Sequence, residues 1–178
     1  IGGIDDTDSS KTTYLYSGTY SAAAAKKDPI DNFGMHITPD KHTLTINAAE
    51  DYEFHGQVFF WLSLVKKGSG TQTFSGDTSL FEGGLRVDAG ELVFEKGIYA
   101  AESVTLNGGT LRLHGGKLAG LGGSGGTLAL EAGDYDIDLT GSTGSYAVRL
   151  NGAAVCMYLP QNSVCQAHVS FLLRNASA

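Results

Sequence analysis

The middle of the chain repeats a short unit made of a glycine, a strand-like L-x-L segment and a polar or glycine-rich turn. Clear copies are "GGLRVDAG" at 83–90, "GELVFEKG" at 90–97, "GGTLRLHGG" at 108–116 and "GGTLALEAG" at 125–133. A unit this short cannot bury its own apolar face, so neighbouring units must stack to make a core. Self-similarity along a chain is the sequence signature of repeat folds. The pattern therefore favours a solenoid of stacked β-strands.

The apolar residues of these units come in pairs two positions apart, which places both members on one face of a strand. The pairs are Leu85/Val87, Leu92/Phe94, Val104/Leu106, Leu111/Leu113, Leu128/Leu130, Ile137/Leu139 and Val148/Leu150. We expect the intervening residues to face outward, namely Arg86, Thr105, Arg112, Ala129 and Asp138. The chain's 25 glycines permit left-handed turns between short strands. The prediction is an all-β protein, a parallel β-solenoid, with an antiparallel sandwich or meander as the alternative.

The two ends differ from the repeats. Residues 1–50 are richer in polar and charged side chains and are predicted to form a cap or first irregular rungs, since solenoid ends must be covered. Residues 51–150 form the glycine-turn solenoid and residues 151–178 a second cap, all within one compact domain. The apolar C-terminal segment either caps the stack or packs against another copy, so self-association through the solenoid ends is expected.

The C-terminal segment holds both cysteines of the chain. Pro160-Gln161 lies midway between Cys156 and Cys165. A hairpin turning there would place the two thiols opposite each other, either as a disulfide, worth about 2–3 kcal/mol, or as two buried free thiols.

Composition limits the partners. The net charge is −7 and the pI is about 5.0. An acidic surface disfavours nucleic acid and anionic membranes as partners. No apolar run reaches the length of a transmembrane helix, so no membrane span is expected.

The stretch "WLSLVKKGSGTQTFSGDTSLFEGGLRVDAGELVFEKG" at 61–97 resembles the passenger-associated repeat of bacterial autotransporters. The matching positions are Leu64, Lys66, Gly68, Gly70, Thr71, Phe74, Gly76, Gly84, Val87, Gly90 and Leu92. The resemblance continues loosely over residues 55–140. It implies a right-handed parallel β-helix, here with an irregular N-terminal cap and a C-terminal hairpin-like cap, on a secreted or surface-displayed bacterial protein. We expect a structural or adhesive module that binds host or environmental glycoconjugates, with no cofactor.

Exposed aromatic faces suit the C–H groups of sugars, and Tyr14, Tyr16 and Trp61 are the candidate binding residues. The alternative is that these aromatic side chains belong to the core.

Asp6-Thr7-Asp8-Ser9-Ser10 resembles the D-T-G-S-S motif of aspartic proteases, with Asp8 in place of the glycine. The resemblance makes Asp6 and Asp8 candidate catalytic residues of an exported hydrolase acting on mucin-like glycoproteins. Such chemistry needs a second carboxylate that shares a proton with the first. A calcium loop and an exposed acidic turn are the other interpretations of this stretch. Whether the protein is an enzyme stays open here, although a non-enzymatic module is expected.

No metal site is predicted. His36 and His42 lie near each other with Asp40 between them, but zinc needs three or four converging ligands.

Overall fold

The structure, a computed structural model, describes residues 1–5, 13–16, 19–20, 37–38, 41–60, 62–158 and 166–173. This part of the chain contains nineteen β-strands and no helix. The strands are β1 (Tyr14–Tyr16), β2 (Thr19–Tyr20), β3 (Ile37–Thr38), β4 (Thr43–Asn47), β5 (Tyr52–Phe54), β6 (Gln57–Phe60), β7 (Ser63–Lys67), β8 (Thr71–Phe74), β9 (Leu80–Val87), β10 (Glu91–Phe94), β11 (Ala100–Leu106), β12 (Thr110–Leu113), β13 (Gly116–Leu118), β14 (Leu121–Gly123), β15 (Thr127–Leu130), β16 (Gly133–Asp138), β17 (Thr143–Leu150), β18 (Ala153–Tyr158) and β19 (Gln166–Leu173).

Two long sheets run the length of the stack. The first sheet has ten strands, along the path β1-β6-β9-β11-β13-β16-β18, with β14 paired to β11 and the β4–β7 pair joined through β9. The second sheet has seven strands, β5-β8-β10-β12-β15-β17-β19. Every pairing in both sheets is parallel. The predicted parallel β-solenoid is confirmed, and the antiparallel sandwich is excluded.

Each rung, meaning one circuit through both sheets, uses about twenty residues. In the second sheet Thr71 pairs with Glu91, Glu91 with Thr110, and Thr110 with Thr127, which are offsets of 20, 19 and 17 residues. Because the offsets are nearly constant, equivalent side chains from successive rungs line up in ladders along the solenoid axis.

The core is a column of such ladders between the two sheets. Leu92, Leu111, Leu128 and Val148 occupy one ladder, and each is at most 2% exposed. A neighbouring ladder stacks phenylalanine rings, with centroids 6.1 Å apart for Phe54 and Phe74 and 5.2 Å apart for Phe74 and Phe94. Aromatic pairs at these spacings add stabilisation beyond the apolar area that they bury.

The predicted inward pairs lie in this core. Only Leu139 and Leu150 among them are partly rather than fully buried. On the outer face, Arg86, Thr105, Arg112 and Asp138 are exposed or partly exposed as predicted.

Ala129 lies in register with outward-facing residues, as predicted, but it is not exposed to solvent. Ala129 is 3% exposed because it lies in register between Arg112 and Arg149 on the neighbouring strands. The aliphatic stems of long cationic side chains readily cover a short neighbour.

A buried lysine interrupts one apolar ladder. Lys66 lies between Ile46 and Val87 in register and is 0% exposed. Its Nζ donates hydrogen bonds to the carbonyl oxygens of Lys67 (2.8 Å) and Gly68 (3.0 Å). Burial lowers the pKa of Lys66, and the charge of Asp51 acts in the opposite direction. The lysine of the repeat motif therefore serves the turn that follows its own strand.

The N-terminal residues lie across the first rungs. Asn47 N donates to Ile1 O at 2.7 Å, which adds residue 1 beside β4. Ile4 N donates to the buried Gln72 Oε1 at 2.8 Å, and Gln72 Nε2 donates back to Ile4 O at 2.9 Å. The strands β2 and β3 form a separate antiparallel pair.

Among the described residues, β18 and β19 do not pair with each other, so these strands do not form the predicted C-terminal hairpin. β18 pairs in parallel with β16 of the first sheet, and β19 pairs in parallel with β17 of the second. Each strand therefore extends its own sheet by one rung. Within the described part of the chain, no helix has the length and hydropathy needed to span a membrane.

Candidate functional site

The corner where the chain passes from the second sheet to the first changes shape along the axis. The connections span residues 75–79 and 95–99 on two rungs, but only 114–115, 131–132 and 151–152 on the next three. The five-residue connections project further than the two-residue ones. A step therefore forms on the outside of the solenoid at this corner.

A groove of about 850 Å³ lies at this step. The longer connections form its lip, and the strands β13, β16 and β18, which follow the short connections, form its floor. Its lining residues are Asp77, Ser79, Lys96, Gly97, Ile98, Tyr99, Gly116, Lys117, Asp134, Tyr135, Asp136, Ala154, Val155 and Cys156. An adjoining hollow of about 400 Å³ shares Lys117, Asp136 and Cys156 with it. We call the two together the corner groove.

Tyr99 supplies an aromatic face at the lip. Its side chain follows the buried Ile98 at the end of a long connection and is 51% exposed. The Lys117 Nζ lies 5.6 Å from the centroid of the Tyr99 ring. This is within the range of a cation–π contact, so one face of the ring already meets a positively charged group.

Two carboxylates stand on the floor. Asp134 and Asp136 are two residues apart on β16 and therefore point to the same, outer face of the sheet. Asp136 is in register with Lys117 on one side and Cys156 on the other, while Asp134 is in register with the small Ala154. Neither carboxylate has a hydrogen-bond or ion-pair partner among the described residues.

The lip carries a third carboxylate, Asp77, which has hydrogen-bond partners. Hydrogen bonds from the Ser79 side chain and backbone hold the pKa of Asp77 below its usual value, and the nearby Lys96 acts in the same direction. The Ser79 N–H donates to Asp77 Oδ1 at 2.9 Å. Asp77 is thus committed to its own turn.

Tyr135 fixes the wall beneath the floor. Its ring is 2% exposed, and its hydroxyl donates to the carbonyl oxygens of Leu113 and Glu131, the latter at 3.0 Å. Burial raises the pKa of Tyr135 to about 12. The phenol therefore stays neutral and ties a two-residue connection to the preceding rung.

The arrangement suits binding. An aromatic face, two carboxylate acceptors and a lysine donor surround an open, largely apolar floor. Among the described residues, no group of three or more histidine, cysteine, aspartate or glutamate side chains is arranged to hold a metal ion.

Most of the site residues predicted from the sequence lie outside the part of the chain that the structure describes, or have only their backbone described. Asp6, Asp8, Trp61 and Cys165 fall outside the described residues, and of Tyr14 and Tyr16 only the backbone in β1 is described. The aspartic-type hydrolase and the disulfide stay predictions. Cys156 is exposed on β18 and lines the corner groove.

Sequence reasoning missed Tyr99, Lys117, Asp134 and Asp136. No local motif marks them, because Tyr99 lies in a connection, Lys117 on β13 and the two aspartates on β16. Aligning the sequence in steps of about twenty residues, the length of one rung, would have placed Lys117 near Asp136, since the two are in register across adjacent rungs.

Comparison with known proteins gives one match. Residues 64–94 match the family model described as the passenger-associated-transport-repeat. No curated protein and no solved structure matches the chain. The matched residues run from β7 through β10, across both sheets of the solenoid. Residues 64–94 therefore resemble a passenger-associated-transport-repeat set within a longer parallel β-solenoid, and the two together fit a surface-displayed passenger module.

Proposed function

We propose that this protein is a surface-displayed passenger module that binds glycoconjugates through the corner groove. The passenger-associated repeat at 64–94 supports an extracellular or cell-surface location. The solenoid supplies a rigid rod, and rigid scaffolds present binding residues on the segments that connect their elements. Two such segments, residues 75–79 and 95–99, form the lip of the groove, and the starts of three strands form its floor.

The observation that carries the proposal is the exposed ring of Tyr99 above an open floor that holds two unpartnered carboxylates. Sugar rings have an apolar C–H face, which stacks on an aromatic side chain, and hydroxyl groups, which donate hydrogen bonds to carboxylates. Tyrosine supplies contact area at a low cost in conformational entropy. Tyr99, Asp134 and Asp136 offer both kinds of contact within one groove.

The groove has the shape of a site for a linear oligosaccharide. Its lining comes from five successive rungs, from Asp77 to Cys156. With strands about 4.8 Å apart, four steps between rungs give a length of roughly 19 Å along the axis. A single sugar would leave most of this surface uncovered.

Binding to immobilised glycans tests the proposal. Wild-type protein should retain a subset of linear glycans, and Tyr99→Ala should reduce that binding at least about fivefold, since it removes the stacking face. Thr45→Ala is the matched control, because Thr45 is exposed on β4, away from the groove. Equal loss in both variants, or full retention by Tyr99→Ala, would count against the corner groove as the binding site.

A further inference from the structure

Some charged side chains in and beside the corner groove have a partner nearby, and others do not. Lys96 lies close enough to Asp77 to lower its pKa, and Lys117 lies over the Tyr99 ring. At the edge of the groove, Glu102 is paired with Lys41 at 2.8 Å.

Asp138, the next outward residue on β16, accepts a hydrogen bond from the Thr140 N–H at 2.8 Å. Asp134 and Asp136 are left without a partner among the described residues. The floor of the groove therefore presents two carboxylates that form no ion pair with a described cation, although Lys117 lies beside Asp136 on the neighbouring strand.

Building on the proposed function, we infer that the ligand is a linear polysaccharide bearing free primary amino groups, a hexosamine polymer that is at least partly unacetylated. Its ammonium groups would pair with Asp134 and Asp136. Its ring faces would stack on Tyr99. The net charge of −7 attracts such a polycation and speeds its association.

The Lys117 ammonium already shows how a cation sits at this ring. It is held over Tyr99, with Asp136 as its in-register neighbour on the next strand. A ligand ammonium that approaches the same ring edge meets an aromatic face and a carboxylate together, the pair of contacts that favours amines over neutral groups.

Other glycans fit this groove less well. An acidic polysaccharide would place its carboxylates or sulfates against Asp134 and Asp136, and like charges at close range cost free energy. A fully acetylated polymer would cover the two carboxylates without supplying a cation, and covering an unpaired charge is unfavourable.

The test compares oligomers of equal length with the same backbone, glucosamine against N-acetylglucosamine, by isothermal titration at low salt. The wild type should bind the amino oligomer roughly tenfold more tightly, a ratio that falls in concentrated salt because screening weakens exposed charge pairs. Asp136→Asn and Asp134→Asn should each remove most of this preference, because each variant weakens binding of the amino oligomer more than binding of the acetylated one.

Glu50→Gln is the matched control. Glu50 is exposed outside the groove, so this variant loses the same charge without touching the site. A preference lost equally in Glu50→Gln would show attraction by net charge alone and overturn the inference.

The outcomes separate the two proposals. Equal binding of both oligomers, with loss in Tyr99→Ala, would overturn the amino-sugar inference and leave glycan binding intact. Binding of neither oligomer, together with no retention on any immobilised glycan, would overturn both.

Discussion

A pair of glycine substitutions separates two requirements on the turns of a stacked solenoid. One is a left-handed backbone conformation, and the other is room for the close approach of the preceding rung. Gly90, in the passenger-associated repeat, and Gly141, in an exposed turn, have φ values of +67° and +68°. A Cβ at Gly141 would meet nothing within 4 Å. A Cβ at Gly90 would clash with the carbonyl oxygens of Gly68 and Gly70 on the preceding rung and lie 2.7 Å from Lys66 Nζ. The two sites thus share a backbone conformation and differ in space.

The expected costs follow from this difference. Both alanine variants adopt a left-handed conformation, at a cost of about 1–2 kcal/mol. Gly90→Ala must also push two rungs apart, which adds about 1–3 kcal/mol of overpacking. The displacement weakens the hydrogen bond from Glu91 N to Gly70 O, worth about 1 kcal/mol. Gly90→Ala should therefore cost roughly 3–6 kcal/mol and Gly141→Ala only about 1–2 kcal/mol.

Guanidinium unfolding followed by far-ultraviolet circular dichroism measures the free energy of unfolding of both variants and the wild type. Gly90→Ala should unfold at a clearly lower denaturant concentration than Gly141→Ala. Equal losses in the two variants would mean that Gly90 is needed only for its turn conformation, and the close approach of neighbouring rungs would be refuted.

Three further perturbations test particular contacts. Leu111→Ala empties a fully buried position of the core ladder and should cost about 3–5 kcal/mol in urea unfolding; a cost below 1 kcal/mol would contradict a packed column. Arg112→Met removes the ion pairs with Glu91 (2.6 Å) and Glu131 (2.7 Å), both of which are partly exposed. It should lower the free energy of unfolding by about 0.5–1 kcal/mol at low salt, and by less in 1 M salt. A loss of stability that is the same at both salt concentrations would argue against an electrostatic role. The pKa of Tyr135 is about 12 in the folded state and about 10 when unfolded. The stability that Tyr135 contributes is therefore complete below pH 10 and is lost, by roughly 2–3 kcal/mol, as the pH rises towards 12. Tyr135→Phe should flatten the fall in thermal midpoint over this pH range, and an identical fall in both proteins would refute the assignment.

The solenoid could be predicted because its signals are local. Pairs such as Leu111/Leu113 alternate with period two, and both residues are 0% exposed. The left-handed turn at Gly90 is equally local, since a positive φ favours glycine in any context. The family resemblance rested on residues within one short stretch, and the family model matches that same stretch at 64–94.

The departures from the sequence predictions have a common physical cause, because each depends on residues one rung away. Ala129 is covered by Arg112 and Arg149, which are 17 and 20 residues distant in the sequence. The apolar sequences of β18 and β19 are compatible with a hairpin or with stacked rungs, and only their pairing with the preceding rung distinguishes the two arrangements.

The corner groove could not be predicted from short sequence motifs, for the same reason. It exists because connections of five residues give way to connections of two, a change visible only once the strands are placed. Its aromatic and acidic residues, Tyr99 and Asp136, lie on different rungs and share no motif.

Amide chemical-shift mapping during titration with the glucosamine oligomer shows whether this solenoid binds glycan at its corner groove. Shifts should cluster at residues 96–99, 115–117 and 134–136, while the second-sheet strands β10, β12 and β15 stay unaffected. Shifts centred on the outer face of the second sheet, or spread evenly over the acidic surface, would contradict it.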